Sequence, residues 1–212
     1  MKKVILFDLD GTLIDSTDAI LESFASAFQA FNQKRPESEL IKAQIGHPLD
    51  VMFMELGVEA HMVWDYVAAY KQHYQKIFRE KTTLLPGALE SIELASKHAQ
   101  LGVVTTKTAK YSIELLEDMG IMHCFDTLIG REDVKNPKPD PEPIQKALIK
   151  LQSVTDNCYM IGDTCMDMIA AKCADVTGVG VMCGYGTYES LSSCSNNIYK
   201  NSLEAVTFII KQ

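Results

Sequence analysis

Val4-Ile5-Leu6-Phe7-Asp8-Leu9-Asp10-Gly11-Thr12-Leu13 is the stretch whose reading decides the fold of this chain. An apolar, partly β-branched run ends abruptly in two carboxylates one residue apart, followed by Gly-Thr. Such a run, bounded by a turn, predicts a short buried strand. In open α/β sheets, ligands gather beyond the carboxyl ends of strands. Two acids placed there concentrate negative charge, which is costly unless a cation compensates it. A hard divalent cation with oxygen ligands, Mg2+ before others, is the natural partner. Gly11 permits the tight turn and frees backbone N–H groups to face an anion. The plainer alternative is an acidic strand-to-loop turn in which Asp-Gly is ordinary turn chemistry. Residues further along must decide between them.

Outward from Leu13 the character changes. Asp15 or Ser16 is placed to cap a helix in which Ile20, Phe24, Ala27, Phe28 and Phe31 recur at helical spacing. Polar residues 34–39 read as a connection, and Gly46-His47-Pro48 as a break. Asp50 is then placed to cap a short helix through Leu56. A longer helix over 60–79 carries Val63, Val67, Tyr70, Tyr74 and Ile77 on one face. Residues 15–83 therefore read as a small helical domain inserted after the first strand. Residues 1–14 and 84–212 read as an α/β core. From Pro86-Gly87 onward, strands over 101–105, 125–129, 159–161 and 179–182 alternate with helices over 108–119, 141–151 and 164–174. Gly120 stops the first of these helices, and a last helix over 203–210 closes the chain. That alternation predicts a doubly wound, Rossmann-like parallel sheet with right-handed crossovers.

Composition bounds the function. With 47% hydrophobic and 23% charged residues over 212 positions, the chain can bury a proper core. A formal charge of −8 argues against a nucleic-acid or anionic-membrane surface. Met1-Lys2-Lys3 is basic, but only Val4 to Phe7 follow before Asp8, too short an apolar stretch for a signal or membrane span. A cytoplasmic protein is expected. The six cysteines form no C-x-x-C pair and have no zinc-ligand spacing. Free thiols are the expected state, with Cys165 of interest because it falls inside an acidic motif.

Each of the first four sheet strands is followed by a polar residue suited to phosphate or metal. Asp8 and Asp10 follow the first and Thr105 ends the second. Lys138 lies in the loop after the third, within Lys135-Asn136-Pro137-Lys138-Pro139-Asp140. Gly162-Asp163-Thr164-Cys165-Met166-Asp167 follows the fourth. Taken singly, Thr105 is an ordinary strand residue, Lys138 a solvated surface lysine, Asp163 a helix cap and Asp167 a first-turn acid. Taken together on one sheet edge, they are suited to surround a single small ligand.

In that order, Asp8-Leu9-Asp10-Gly11-Thr12-Leu13, Val103-Val104-Thr105, Lys138-Pro139 and Gly162-Asp163-x-x-x-Asp167 resemble the four motifs of the haloacid dehalogenase-like phosphohydrolases. The resemblance covers essentially the whole chain, and the helical insertion looks like that family's cap domain. Lys138-Pro139-Asp140-Pro141-Glu142-Pro143 and the Ile45-Gly46-x-Pro48-Leu49 loop look most like the phosphoglycolate phosphatase and bacterial pyrophosphatase branch. The resemblance implies a Mg2+-dependent phosphatase acting on a small phosphorylated metabolite. Asp8 would be the nucleophile and Asp10 the general acid and base. Mg2+ would be held by Asp8, the Asp10 backbone carbonyl and Asp163. Thr105, Lys138 and backbone N–H groups near Leu9, Asp10 and Thr106 would grip the phosphoryl oxygens. Asp167 would orient the metal water or Lys138. His47 and Lys107 are candidates for leaving-group contacts.

Two departures narrow the choice. Thr106 stands where phosphatases of this branch often carry Asn, and no arginine sits in the 46–50 loop where a phosphomutase would hold a second phosphate. Asp10 counts against a dehalogenase proper. A receiver-type signalling domain would place its acids and acceptor on different strands, without a helical insertion. A catalytically retired phospho-metabolite sensor stays open as the alternative of another class.

Overall fold

A computed structural model describes residues 2–212; Met1, part of the basic start, lies outside the described residues. The apolar run forms β1 (Lys3–Phe7), with its last four residues buried, and β2 (Ile14–Asp15) follows. Next come α1 (Thr17–Ala30), α2 (Ser38–Lys42), α3 (Leu49–Glu55), α4 (Val63–Ile77) and β3 (Thr83–Leu84). From there the chain runs through α5 (Ala88–Ser96), β4 (Ala99–Val104), α6 (Ala109–Asp118), β5 (Thr127–Ile129) and α7 (Glu142–Lys150). It ends with β6 (Cys158–Gly162), α8 (Cys165–Cys173), β7 (Thr177–Val181), α9 (Tyr188–Ser192), β8 (Ile198–Tyr199) and α10 (Ser202–Ile210).

Six strands form one parallel sheet in the order β5-β4-β1-β6-β7-β8. This is a doubly wound α/β architecture. The chain builds outward from β1 in one direction through β4 and β5, then in the other through β6, β7 and β8. The switch point therefore lies at β1, where such sheets bind ligands. Phe7 pairs with both Val103 and Ile161, so the residues that follow these three strands leave the sheet at a common edge. The pairing continues one step further: Asp8 N–H donates to Ile161 O at 2.8 Å and Thr105 N–H to Ile129 O at 3.0 Å. On one face, Leu6, Val104, Ile129 and Met160 pack with Ile144 and Leu148 of α7 and Ala170 and Ala171 of α8. Strands covered on both faces read as unbroken apolar runs, which is why these were legible.

The chain divides into two compact units. One holds the chain up to Asp15 together with Leu84–Gln212; the other is Ser16–Thr83. The second unit has a core of rings: Phe24 lies 4.6 Å from Phe53 and 5.1 Å from Tyr70, and Tyr70 stacks on Tyr74 at 5.5 Å. Aromatic side chains bury large areas, so a few rings suffice for a small core.

Several expectations need correction. Asp50 does not cap α3: Pro48 occupies the N-cap, and Asp50 sits in the first turn, where an acid meets the helix dipole. The 34–39 connection gives way to α2 at Ser38, a five-residue helix burying only Ile41 and too short to show a period. The sheet has a sixth strand, β8, of two half-buried residues. The expected free thiols are not all free, because Cys165 and Cys194 form a disulfide with Cα atoms 5.9 Å apart. A separation of 29 residues carries no sign of this in the sequence. The packing of α8 against α9 brings the two together. Cys124, Cys158, Cys173 and Cys183 are free.

Candidate active site

Asp8 leaves the end of β1 with its side chain buried. Facing it is Lys138, 3% exposed, in the loop between β5 and α7, with a cis peptide to Pro139. Glu142, at the start of α7, anchors this loop by accepting from Lys135 N–H at 3.1 Å and Asn136 N–H at 2.9 Å. The Lys146 ammonium and those two N–H groups hold the Glu142 carboxyl down at about 2. The Lys138 ammonium reaches three oxygens: Asp8 Oδ1 at 2.9 Å, Asp167 Oδ1 at 2.5 Å and Val104 O at 3.0 Å. It donates hydrogen bonds to Asp167 and Val104, while its contact with Asp8 is an ion pair.

Asp167 lies in the first turn of α8, fully buried. Its Oδ2 accepts from Thr164 N–H at 3.1 Å and Thr164 Oγ1 at 2.7 Å. The N-cap of α8 is Thr164 rather than Asp163, which leaves Asp163 free of capping duty. Both Asp167 oxygens are thus occupied, one by the helix start and the other by Lys138. A carboxylate so engaged is suited to hold the lysine in place.

Asp163, also fully buried, accepts from Thr12 Oγ1 at 3.3 Å and from Tyr185 N–H at 2.7 Å. Tyr185 belongs to Cys183-Gly184-Tyr185-Gly186-Thr187, the loop after β7, which sequence reasoning missed as part of the site. A Cβ on Gly184 would overlap the Asp163 carboxylate, so only glycine lets that backbone come so close. Gly11, at φ +82, meets Asp163 from the other side in the same way. The signal available was a Gly-Tyr-Gly turn directly beyond an apolar strand. Nothing in it pointed to a particular partner.

Asp10 lies two residues beyond Asp8, and its carboxylate receives Lys107 Nζ at 3.0 and 2.9 Å. Thr105 and Thr106 follow β4, with Thr105 buried and its Oγ1 accepting Lys107 N–H at 3.2 Å. Asp8, Asp10, Thr105, Lys107, Lys138, Asp163 and Asp167 are therefore linked by direct contacts or share the edge around β1. His47 belongs to the other unit, in the turn after α2, where its N–H donates to Gln44 O.

The electrostatics of the site are dominated by its buried carboxylates. Burial pushes the Asp8 carboxyl up to about 7, against the pull of Lys138 and with the push of Asp167. Burial likewise holds Asp163 well above the ordinary carboxylate range; Asp8 and Asp167 add to the rise, and the Tyr185 N–H offsets part of it. For Lys138, burial works against the ammonium, but Asp167 and Asp8 outweigh it and raise the group above its ordinary value. Among the described residues, carboxylate oxygens of Asp8, Asp163 and Asp167 lie within 4.8 Å of one another. One buried ammonium against three buried carboxylates leaves negative charge to be balanced. An all-oxygen donor set of this charge fits a hard divalent cation.

The comparisons with known proteins agree with this geometry. Residues 5–181 match the model of the haloacid dehalogenase-like hydrolase family. A phosphoglycolate phosphatase from Colwellia psychrerythraea is 28% identical over 90% of this chain and 89% of its own length. The pyrophosphatase PpaX from Bacillus velezensis is 35% identical over 84% of this chain and 82% of its own. Among solved structures, a haloacid dehalogenase-like family hydrolase from Streptococcus pneumoniae superposes with a TM-score of 0.88. It covers 98% of both chains at 26% identity.

Proposed function

We propose that this chain, which belongs to the haloacid dehalogenase-like hydrolase family, hydrolyses a small phosphomonoester of the phosphoglycolate kind, using Mg2+. The observation that carries the reading is Asp8: a buried carboxylate at the sheet's switch point, in contact with Lys138 and close to Asp163. A carboxylate oxygen of Asp8 attacks phosphorus, the ester bond breaks, and Asp10 gives a proton to the leaving oxygen. Water then attacks the phosphoryl group on Asp8, Asp10 takes its proton, and phosphate departs. Thr105 and Lys138 hold the phosphoryl oxygens, assisted by backbone N–H groups near Leu9, Asp10 and Thr106. Asp167 acts through Lys138, which it positions.

Asp8, Asp163 and the Asp10 backbone carbonyl are the proposed Mg2+ ligands. When bound, the ion offsets the charge between carboxylate and phosphate and that developing on the phosphoryl oxygens. Residues 15–83 are the proposed cap, with His47 the proposed contact to the leaving group, and residues 1–14 with 84–212 the proposed hydrolase core. The proposed setting is the cytoplasm, where a reducing environment would open Cys165–Cys194. No helix among the described residues is long and apolar enough to cross a membrane.

Inorganic pyrophosphate is the second reading, favoured by the 35% identity to PpaX. Phosphate release with Mg2+ against phosphoglycolate, pyrophosphate, hexose phosphates and nucleotides tests both. One substrate should stand well above the rest, and Asp8→Asn should lose about 10^4-fold or more in kcat, as for loss of a covalent nucleophile. No release from any substrate would sink the hydrolase reading in favour of a phospho-metabolite sensor.

A further inference from the structure

We propose that Lys107 is the positioning residue of Asp10 and serves the second half of the reaction, in which the phosphoryl group leaves Asp8. The inference rests on the hydrolase reading above and assigns a task within that site. Lys107 was a candidate for gripping the leaving group, but its ammonium is committed elsewhere. Nζ donates to both Asp10 carboxylate oxygens, at 3.0 and 2.9 Å, and the two side chains are only 9% and 13% exposed. The backbone beneath is pinned on both sides: Lys107 N–H donates to Thr105 Oγ1 at 3.2 Å, and Lys107 O accepts Arg131 N–H at 3.0 Å. A lysine anchored at its backbone and engaging both oxygens fixes the direction of a carboxylate, which otherwise rotates freely about its terminal bond.

The two lysines divide the work. Lys138 pairs with Asp8 and donates to Asp167 and the Val104 carbonyl, whereas Asp10 meets Lys107. With one ammonium on both oxygens, the Asp10 carboxylate is held in a single orientation. In the second half-reaction, the water oxygen bonds to phosphorus and its proton passes to Asp10. The bond from phosphorus to Asp8 breaks, its electron pair returning to the Asp8 carboxylate, and phosphate leaves. The proton on Asp10 then goes to the leaving oxygen of the next ester.

p-Nitrophenyl phosphate with Mg2+ reads the two halves separately, because its good leaving group needs little help from an acid. With Lys107→Met, kcat should fall about 10- to 100-fold, a fraction of what loss of a general base costs. KM should fall in proportion, leaving kcat/KM within about threefold, and rapid mixing should show a burst of about one p-nitrophenol per site. Lys107→Arg should restore most of kcat. In an Asp10→Asn background, Lys107→Met should add little, as expected for residues acting through one another. Lys107→Gln serves the same test should the methionine variant not fold. A raised KM at steady kcat would make Lys107 a substrate contact and overturn the proposal. A loss of kcat/KM equal to that of kcat with no burst, or no change at all, would overturn it too. A wild-type protein that hydrolyses no phosphate ester, this one included, fails at the hydrolase reading itself, before any variant is compared.

Discussion

At the scale of single residues, the site is a balance of buried charges in which each partner is chosen by contact. Lys138 touches Asp8 and Asp167 at once, so removing it leaves two carboxylates buried without their cation. Breaking such a buried arrangement by deleting one partner costs about 3–5 kcal/mol. Lys138→Met should therefore lower unfolding free energy by that order in urea titrations at neutral pH without added metal, besides abolishing turnover. An unchanged denaturation midpoint would mean that the ammonium is not what offsets these acids. The contrast with Lys107 is instructive. Both lysines follow strands on the same edge, yet one meets Asp8 and the other Asp10, because each is delivered by a different loop.

At the scale of elements, the loops beyond the strands do the positioning, and the helices that follow hold the loops. α8 begins with a capping arrangement in which Thr164 and Asp167 satisfy each other, and the same Asp167 reaches Lys138. One residue further in, Cys165 is joined to Cys194 beyond α9, so a cross-link borders the segment that carries Asp163 and Asp167. Closing a loop of 29 residues' separation restricts the unfolded chain by about 3–4 kcal/mol in the chain-entropy account. Reduction should lower the melting temperature by about 6–16 °C for a chain of this length. Cys194→Ser should melt at the lower temperature with or without reductant. A melting temperature indifferent to both would show that the bond does not form in solution.

At the scale of the whole molecule, the buried acids make stability depend on pH and on metal. Without a cation, folding raises the Asp8 and Asp163 carboxyls above their unfolded values. The folded form then holds more protons than the unfolded form between about pH 4 and the raised values, so stability falls as pH rises through that window. For Asp8 the window closes near pH 7. A divalent cation binding only the folded state restores stability, by about 2.7 kcal/mol at a hundredfold excess over its dissociation constant. Melting should thus shift upward by about 5–11 °C with Mg2+ at pH 8, and by much less at pH 5, where protons compete for the same carboxylates. Equal shifts at both pH values would argue against a carboxylate metal site.

The run Val4–Phe7 ending in Asp8-Leu9-Asp10-Gly11 was enough to predict the strand, its burial and the edge where chemistry gathers, because the central strands of a covered parallel sheet are apolar throughout. Asp8, Asp10, Thr105, Lys138, Asp163 and Asp167 were legible for the same reason: each follows a strand, and strand ends are placed by the alternation itself. The inserted helices were legible from their ring spacing, while α2 and β8 were too short to carry a period. Three things belonged to tertiary structure alone. Lys107 was visible as a residue but not as the partner of Asp10, since 97 positions separate them. The backbone of Gly184 and Tyr185 meets Asp163 only because β7 lies beside β6. Cys165 found Cys194 only through the packing of α8 on α9. Periodicity and strand order are local properties that a sequence displays; which loop tip meets which depends on the sheet's twist and the packing above it, and that is decided in three dimensions.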